Sequence, residues 1–287
     1  MIRKYKPGAY MAPRSRVSTF INYFLLFIVV IIIIAPILIL FNISFKSNEE
    51  YFYSGPFQLA HSFLNIDNYI VVFNQANFLR GFTNTFIIIL VSVTFSILMG
   101  LMVSYIIARF EFKFKSVIAN AFILATIIPT ITTQVATFTV IKAMGIFNTL
   151  LAGIVLYMAT DIISIYVFLQ YITKIPKSLD ESAMMDGASY MRIFISIILP
   201  QMKPAIVTMA IIKSISIYND IFIPYIYMPK SSLRTVATTI QYFSQDRNSQ
   251  WNLMAAAILI AMIPTLILYV FCQKLIISGL TEGAVKE

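Results

Sequence analysis

The sequence predicts an all-α integral membrane protein with six transmembrane helices, and three observations predict it. Hydrophobic residues make up 59% of the 287 and charged residues 11%, with a mean hydropathy of +0.85. A soluble domain carries about 25% charged residues, so a chain this poor in charge cannot cover a water-facing surface. Six apolar runs approach the roughly 20 residues that a helix needs to cross a hydrocarbon core of about 30 Å. Basic residues fall mostly in the short segments between those runs. Open sheet edges do not survive in lipid, so the spans are helices.

Taken in order, the first run is Phe20–Phe41, behind a basic leader, 1–19, that holds Arg3, Lys4, Lys6, Arg14 and Arg16. The leader resembles a signal peptide, but the run is longer than an h-region and lacks an evident small-residue cleavage site. It is expected to stay as a first span with the N-terminus inside. An outer segment, 42–81, precedes the second run, Phe82–Ala108, and the third, Val117–Ile141, follows closely. The fourth is Thr149–Tyr171, the fifth Ala205–Tyr225 and the sixth Leu253–Leu275, with an inner loop at 172–204 and a tail at 276–287. The simplest partition is a five-helix core, 82–275, with a separate first helix. Segments 42–81 and 226–252 are long enough to fold or to dock something.

Orientation follows from counting basic residues. The leader holds five, and Arg109, Lys113 and Lys115 lie between spans two and three. Lys174, Lys177, Arg192 and Lys203 lie between spans four and five, and Lys274 and Lys286 at the end. These are 14 of the 21 Lys and Arg residues, which puts both termini in the cytoplasm. The same placement accounts for the +9 net charge. No basic helix interleaved with aromatics stands out, so nucleic acid is not an expected partner.

Several chemistries are disfavoured. One cysteine, Cys272, cannot build a disulfide framework or a thiolate cluster within the chain. One histidine, His61, cannot build a multi-histidine metal site, and no nucleophile motif lies near it. No Gly-Lys dipeptide occurs, so there is no phosphate-cradling loop. No catalytic or metal-ligating residue is expected, and any ATP consumed must be bound by another subunit.

The most informative stretch is Ser178-Leu-Asp-Glu-Ser-Ala-Met-Met-Asp-Gly-Ala. Ser178 and Glu181 read as a capping box at a helix start, and Asp186-Gly187 offers a break, since glycine readily takes positive φ. Met191, Phe194, Ile195 and Ile198 follow at helical spacing, and Pro200 and Pro204 mark the start of the fifth span. By capping alone this is a short helix, a turn and a second helix, as many membrane proteins carry. The spacing of Glu181, Ala183, Gly187, Ile197, Leu199 and Pro200, however, resembles the E-A-A-x3-G-x9-I-x-L-P signature of binding-protein-dependent ABC importer permeases. Ser182 stands where the signature has its second alanine, a small-for-small change. Tyr218-Asn219-Asp220 resembles the Trp-Asn-Asp of the family's sugar branch. Trp251-Asn252-Leu253-Met254-Ala255, Pro264 and Gly283-Ala284-Val285-Lys286 are also similar to that branch.

The resemblance covers nearly the whole chain and fits best the shorter, six-span subunit of maltose-type importers. It implies the type I ABC importer permease fold, and no enzymatic activity in this chain. The partners it implies are a second, homologous permease in a heterodimer, two ABC ATPase subunits carrying ATP and Mg, an extracellular substrate-binding protein and a sugar. It also implies that Glu181, Ser182, Ala183, Asp186, Gly187, Leu199 and Pro200 belong to the loop that couples to the ATPase.

Polar residues inside the spans need a reason, since an ionisable group at mid-membrane costs about 2.5–3.5 kcal/mol on insertion scales. Asp161 and Lys213 both fall near mid-membrane and either neutralise one another between two helices or face a polar cavity. Lys213, Ser216 and Asp220 recur on one face of the fifth span, next to Asn219. Thr126, Thr130, Thr133 and Thr137 do so on the third, although threonines also bond back to the preceding turn. Together the two faces suggest a passage lined by hydroxyls with few fixed charges, which suits a sugar better than an ion. A stand-alone secondary transporter or channel is the competing class; it calls for ion-coupling residues and usually for repeats.

Overall fold

The computed structural model describes residues 16–75, 77–159, 161–243 and 250–284, whose regular elements are all helices, with no strand among them. The leader's Arg3, Lys4, Lys6 and Arg14, and Val285 and Lys286 of the tail, lie outside the described residues.

Helix α1 (Arg16–Ser44) contains a 26-residue apolar stretch whose most apolar window has a mean hydropathy of 3.5 and is not buried by the rest of the chain. It is apolar on all sides, as a helix solvated by lipid must be. Two short helices follow, α2 (Asn48–Ser54) and α3 (Asp67–Gln75), so the 42–81 segment is folded. Its framework is a set of asparagines. Asn42 Nδ2 donates to the carbonyls of Pro56 and Gln58, and Asn68 Nδ2 to those of Ser44 and Lys46. Lys46 is fully buried, with its Nζ donating to Ser54 Oγ at 2.8 Å and to Gly55 O at 2.7 Å.

The long helix α4 (Phe78–Arg109) is the centre of the bundle. It packs on α7 (Leu150–Met158), α8 (Ile162–Lys174) and α12 (Lys203–Asn219). Ser92, Ser96, Gly100 and Ser104 recur every fourth residue and are all buried. The three serine hydroxyls donate to the carbonyls of Ile154 on α7, Ala159 just beyond it and Ile165 on α8. Small residues at four-residue spacing let membrane helices approach closely. Ile88, Leu101, Phe168, Ile172, Ile198 and Met202 fill the rest of this core. The last helix, α15 (Trp251–Ala284), packs on α1, α3 and α12.

Among the described residues, three helices are long and apolar enough to cross a membrane: Thr19–Ser44, Phe78–Arg109 and Trp251–Gln273. Counting each of two bent pairs, α7 with α8 and Tyr190–Gln201 with α12, as one crossing brings the number to five. The predicted third span is two helices, α5 (Lys115–Ile127) and α6 (Thr130–Ala143), of 13 and 14 residues. The break comes at Ile128-Pro129, because proline excludes the helical conformation for the residue before it, and Ile128 is extended at ψ 114°. The predicted fifth span ends early at Asn219, and α13 (Phe222–Tyr227) resumes after Asp220. Before the last helix comes α14 (Val236–Tyr242), opened by a true capping box of Thr235 and Thr238.

Candidate functional site

The residues singled out from the sequence gather in two places. The first is the loop from α8 to α12. Helix α8 stops at Lys174, and Ile175-Pro176 turn the chain into α9 (Lys177–Met185). The capping box expected at Ser178 and Glu181 does not form. Pro176, fixed at φ −58° with an extended ψ of 131°, takes the N-cap position, so Ser178 falls inside the first turn and no side chain caps the helix. The glycine turn does form. Gly187 sits at φ +81°, Gly187 N donates to Met184 O and Ala188 N to Ala183 O, a closure typical of helices that end on glycine. A Cβ built at Gly187 would meet no atom within 4 Å, so glycine supplies conformation there rather than room.

Beyond the turn, Ser189 Oγ accepts from Arg192 N and caps α10 (Tyr190–Ile193). A π-helical turn, Phe194–Ile198, leads into α11 (Leu199–Gln201), which carries Leu199 and Pro200. The wider turn shifts the buried face. Ile193, Phe194 and Ile198 are buried, whereas Met191 and Ile195, expected on the same face, are 55% and 53% exposed. A 74° bend at Met202 then starts α12.

The surface of α9 is open. Glu181, Ser182, Asp186 and Gly187 are exposed, Ala183 is half-buried, and Leu179, Met184 and Met185 stand 42%, 40% and 89% exposed. At its base, Arg109 Nε lies 2.7 Å from Asp180 Oδ2, and Arg109 Nη2 donates to Ile175 O at 2.9 Å. Nearby, a hydrogen bond from Lys115, with Lys177 of α9 adding to it, holds the Glu111 carboxyl below its ordinary range.

The second place is the gap between α7 and α8. Asp161 caps α8, its Oδ1 accepting from Ser164 N at 2.7 Å and its Oδ2 from Ser164 Oγ at 2.9 Å. Lys213 reaches in from α12. Its Nζ donates to Ala159 O at 2.7 Å and to Ser96 Oγ, and lies 3.6 Å from Asp161 Oδ2. Both residues, with Ser216 and Tyr157, line a cavity of about 320 Å³. The two alternatives left open by the sequence, an ion pair and a cavity-facing site, therefore describe one place. Asp220 joins through Tyr157, whose hydroxyl donates to its Oδ2 at 2.7 Å.

Other expected residues fall elsewhere. Asn219 lines a different cavity, with Tyr218 and Ile221, and its amide bonds back to Ile215 O. Thr133 and Thr137 lie on α6 and do not line the Asp161–Lys213 cavity; Thr137 Oγ1 donates back to Thr133 O. Thr130 opens α6, and the side chains of Thr126 and Thr130 lie outside the described residues. Tyr218 Oη donates to Ala261 O and ties α12 to α15, and Asn252 Nδ2 donates to Asn68 Oδ1. Sequence reading missed Arg109, Asp180, Tyr157 and the serine stripe. The stripe's four-residue spacing was the one signal that could have found it.

The architecture is that of an ABC importer's membrane component. It matches, at a TM-score of 0.81, a chain from the crystal structure of a bacterial ABC transporter involved in the import of the acidic polysaccharide alginate. The likeness covers 93% of this chain and 99% of that one at 20% identity. The chain belongs to the family described as binding-protein-dependent transport system inner membrane component, which matches residues 73–282. It is 31% identical over 277 residues to a probable starch degradation products transport system permease protein of Thermoanaerobacterium thermosulfurigenes, covering 96% of this chain and 99% of that protein. It is 30% identical over 253 residues to a melibiose/raffinose/stachyose import permease protein of Bacillus subtilis, covering 88% and 91%. The protein is thus a multi-pass membrane permease component. Membership implies, in general terms, a partner permease, an ATPase and a substrate-binding protein.

Proposed function

We propose that this chain is one of two unlike permease subunits of an importer that carries a sugar or oligosaccharide into the cell by alternating access. ATP and Mg are bound and hydrolysed on two copies of a separate ATPase, an external binding protein delivers the sugar, and this chain catalyses nothing itself. Six crossings, with the leader 1–19 and the tail 276–287 in the cytoplasm, fit the charge count. The sugar assignment draws on the relatives' names together with a gap in which the Tyr157 and Ser216 hydroxyls and one compensated ion pair stand among apolar side chains.

The observation that carries the reading is the exposed helix α9, closed by a glycine at positive φ and presenting Glu181, Ser182 and Asp186 with three apolar side chains. Exposed apolar residues rimmed by polar ones mark an interaction surface. Closing of the ATPase pair then moves α9, and the bundle follows by population shift between inward- and outward-open states.

The test is uptake alongside ATP hydrolysis in reconstituted vesicles, with co-purification reporting assembly. Gly187→Val forces a β-branched residue into the left-handed region, at a cost of about 1–2 kcal/mol. It should insert and pair normally but lose ATPase attachment or uncouple hydrolysis from uptake. Glu181→Ala should do so more mildly. Normal coupling in both variants would remove α9 from the coupling path.

A further inference from the structure

Of the residues in α9 only Asp180 is buried, and it is a carboxylate. A nine-residue helix that presents an exposed face to a partner needs something to hold its other face to the bundle. Apolar packing contributes little: Ala183 is half-buried, and Leu179, Met184 and Met185 point away from the core. Its N-terminus has no side-chain cap and joins α8 through Ile175-Pro176 alone. At that end, such a helix could swing on the two-residue link independently of α8.

Arg109 is what opposes the swing. It is the last residue of α4, the helix on which the core is built. Its guanidinium spans the link, with Nη2 on Ile175 O at 2.9 Å, before Pro176, and Nε 2.7 Å from Asp180 Oδ2, after it. The Nε contact is an ion pair off the line of a good hydrogen bond, while the Nη2 contact is a true one. The two side chains are 6% and 10% exposed, so solvent screens the pair little. A planar fork with fixed donors can hold two acceptors at once, which a lysine cannot do in the same way.

We propose that Arg109 is a positioning residue that clamps the outer helix α9 to the end of α4, so that displacement of α9 is passed to the central helix instead of being lost at the Pro176 link. The proposal rests on the reading of α9 as the coupling element.

The experiment uses the complete transporter in vesicles and reads sugar uptake per ATP hydrolysed. Arg109→Gln and Asp180→Asn should leave hydrolysis close to the parent rate and lower uptake per ATP by about tenfold or more, the scale on which loss of one member of a buried pair acts. The charge-exchanged double variant, Arg109→Asp with Asp180→Arg, should recover only the share due to the ion pair, since an aspartate at 109 cannot donate to Ile175 O; a helix that merely needed the arginine for packing would not be rescued at all. Asp180→Asn keeps its volume and is the variant least exposed to failure of assembly.

A second readout needs no clamp variant. Spin labels at Lys113 and Ser178, with Cys272 replaced by serine, should keep one distance with and without ATP while the bundle rearranges. Unchanged uptake per ATP in assembled Arg109→Gln and Asp180→Asn, or a label distance that shifts on ATP binding, would overturn the clamp. If Gly187→Val uncouples and the Arg109 variants do not, the clamp fails and the coupling helix stands. If Gly187→Val and Glu181→Ala both leave coupling intact, the coupling reading fails first.

Discussion

At the level of single residues, Lys213 serves a backbone as well as a counter-ion. The break between α7 and α8 leaves the Ala159 carbonyl without a helical donor, and the Lys213 ammonium supplies one at 2.7 Å while standing 3.6 Å from Asp161. Lys213→Met should therefore cost more than Asp161→Asn, because it removes the hydrogen bonds to Ala159 O and Ser96 Oγ, each worth about 0.5–1.5 kcal/mol, whereas asparagine still caps α8. The double variant should regain only the share due to charge. Melting of the detergent-solubilised complex in a double-mutant cycle measures this. Strictly additive losses would mean that the 3.6 Å contact carries no energy. The sequence exposed both ionisable residues, because charge in an apolar run is conspicuous. It could not expose Ala159 O, because a broken helix leaves no mark in composition. Gly187 was legible for the opposite reason: a glycine directly after a short helical stretch and Asp186 readily marks a helix end. Arg109 and Asp180 looked like ordinary loop charges, and only the fold brings them together.

Among the elements, α4 shows how small residues set helix distance. Ser92, Ser96 and Ser104 donate to carbonyls of α7, of the break after it and of α8, from a face that bulk would push apart. Ser104→Leu should lower the stability of the permease pair in detergent by about 1–3 kcal/mol through overpacking. Thr94→Leu, on the exposed face where Thr94 only bonds back to Leu90 O, should change it little. Equal melting shifts in the two variants would show that the stripe is not the contact surface. Helices α1, α4 and α15 were legible as spans because their apolar runs are unbroken. The interruptions at Pro129, Ala159–Asp161 and Asp220 were not. An average over some twenty residues passes straight across two short helices, and the groups that make each break tolerable, Lys213 and Tyr157 among them, lie on other parts of the chain. The capping box was misplaced because proline at 176 starts the helix on sterics, without the hydroxyl that the motif presumes.

For the molecule as a whole, the proposed six-crossing topology makes a direct prediction. A cysteine at Ser231 should react with an impermeant thiol reagent in intact cells and one at Ser189 should not, with Cys272 first replaced by serine; both serines are exposed in the fold. The reverse pattern would overturn the orientation. Membership of the permease family was readable from one loop and a few flanking tracts, since the spacing around Gly187 carries the signature. The ends of the chain add a consequence for synthesis. Asn68 accepts from Asn252 across 184 residues, and α1 packs mainly on α15. Translation at about 5–20 residues per second takes roughly 10 to 40 s to cover that interval. For that time the first helix waits in the bilayer without its neighbour. Interrupting the chain before Trp251 should therefore leave α1 inserted yet undocked and Asn68 short of its distant partner, while the serine-lined core of α4, α7, α8 and α12 has every residue it needs to assemble. The nascent permease closes from the middle outwards, and its first helix is among the last to find its place.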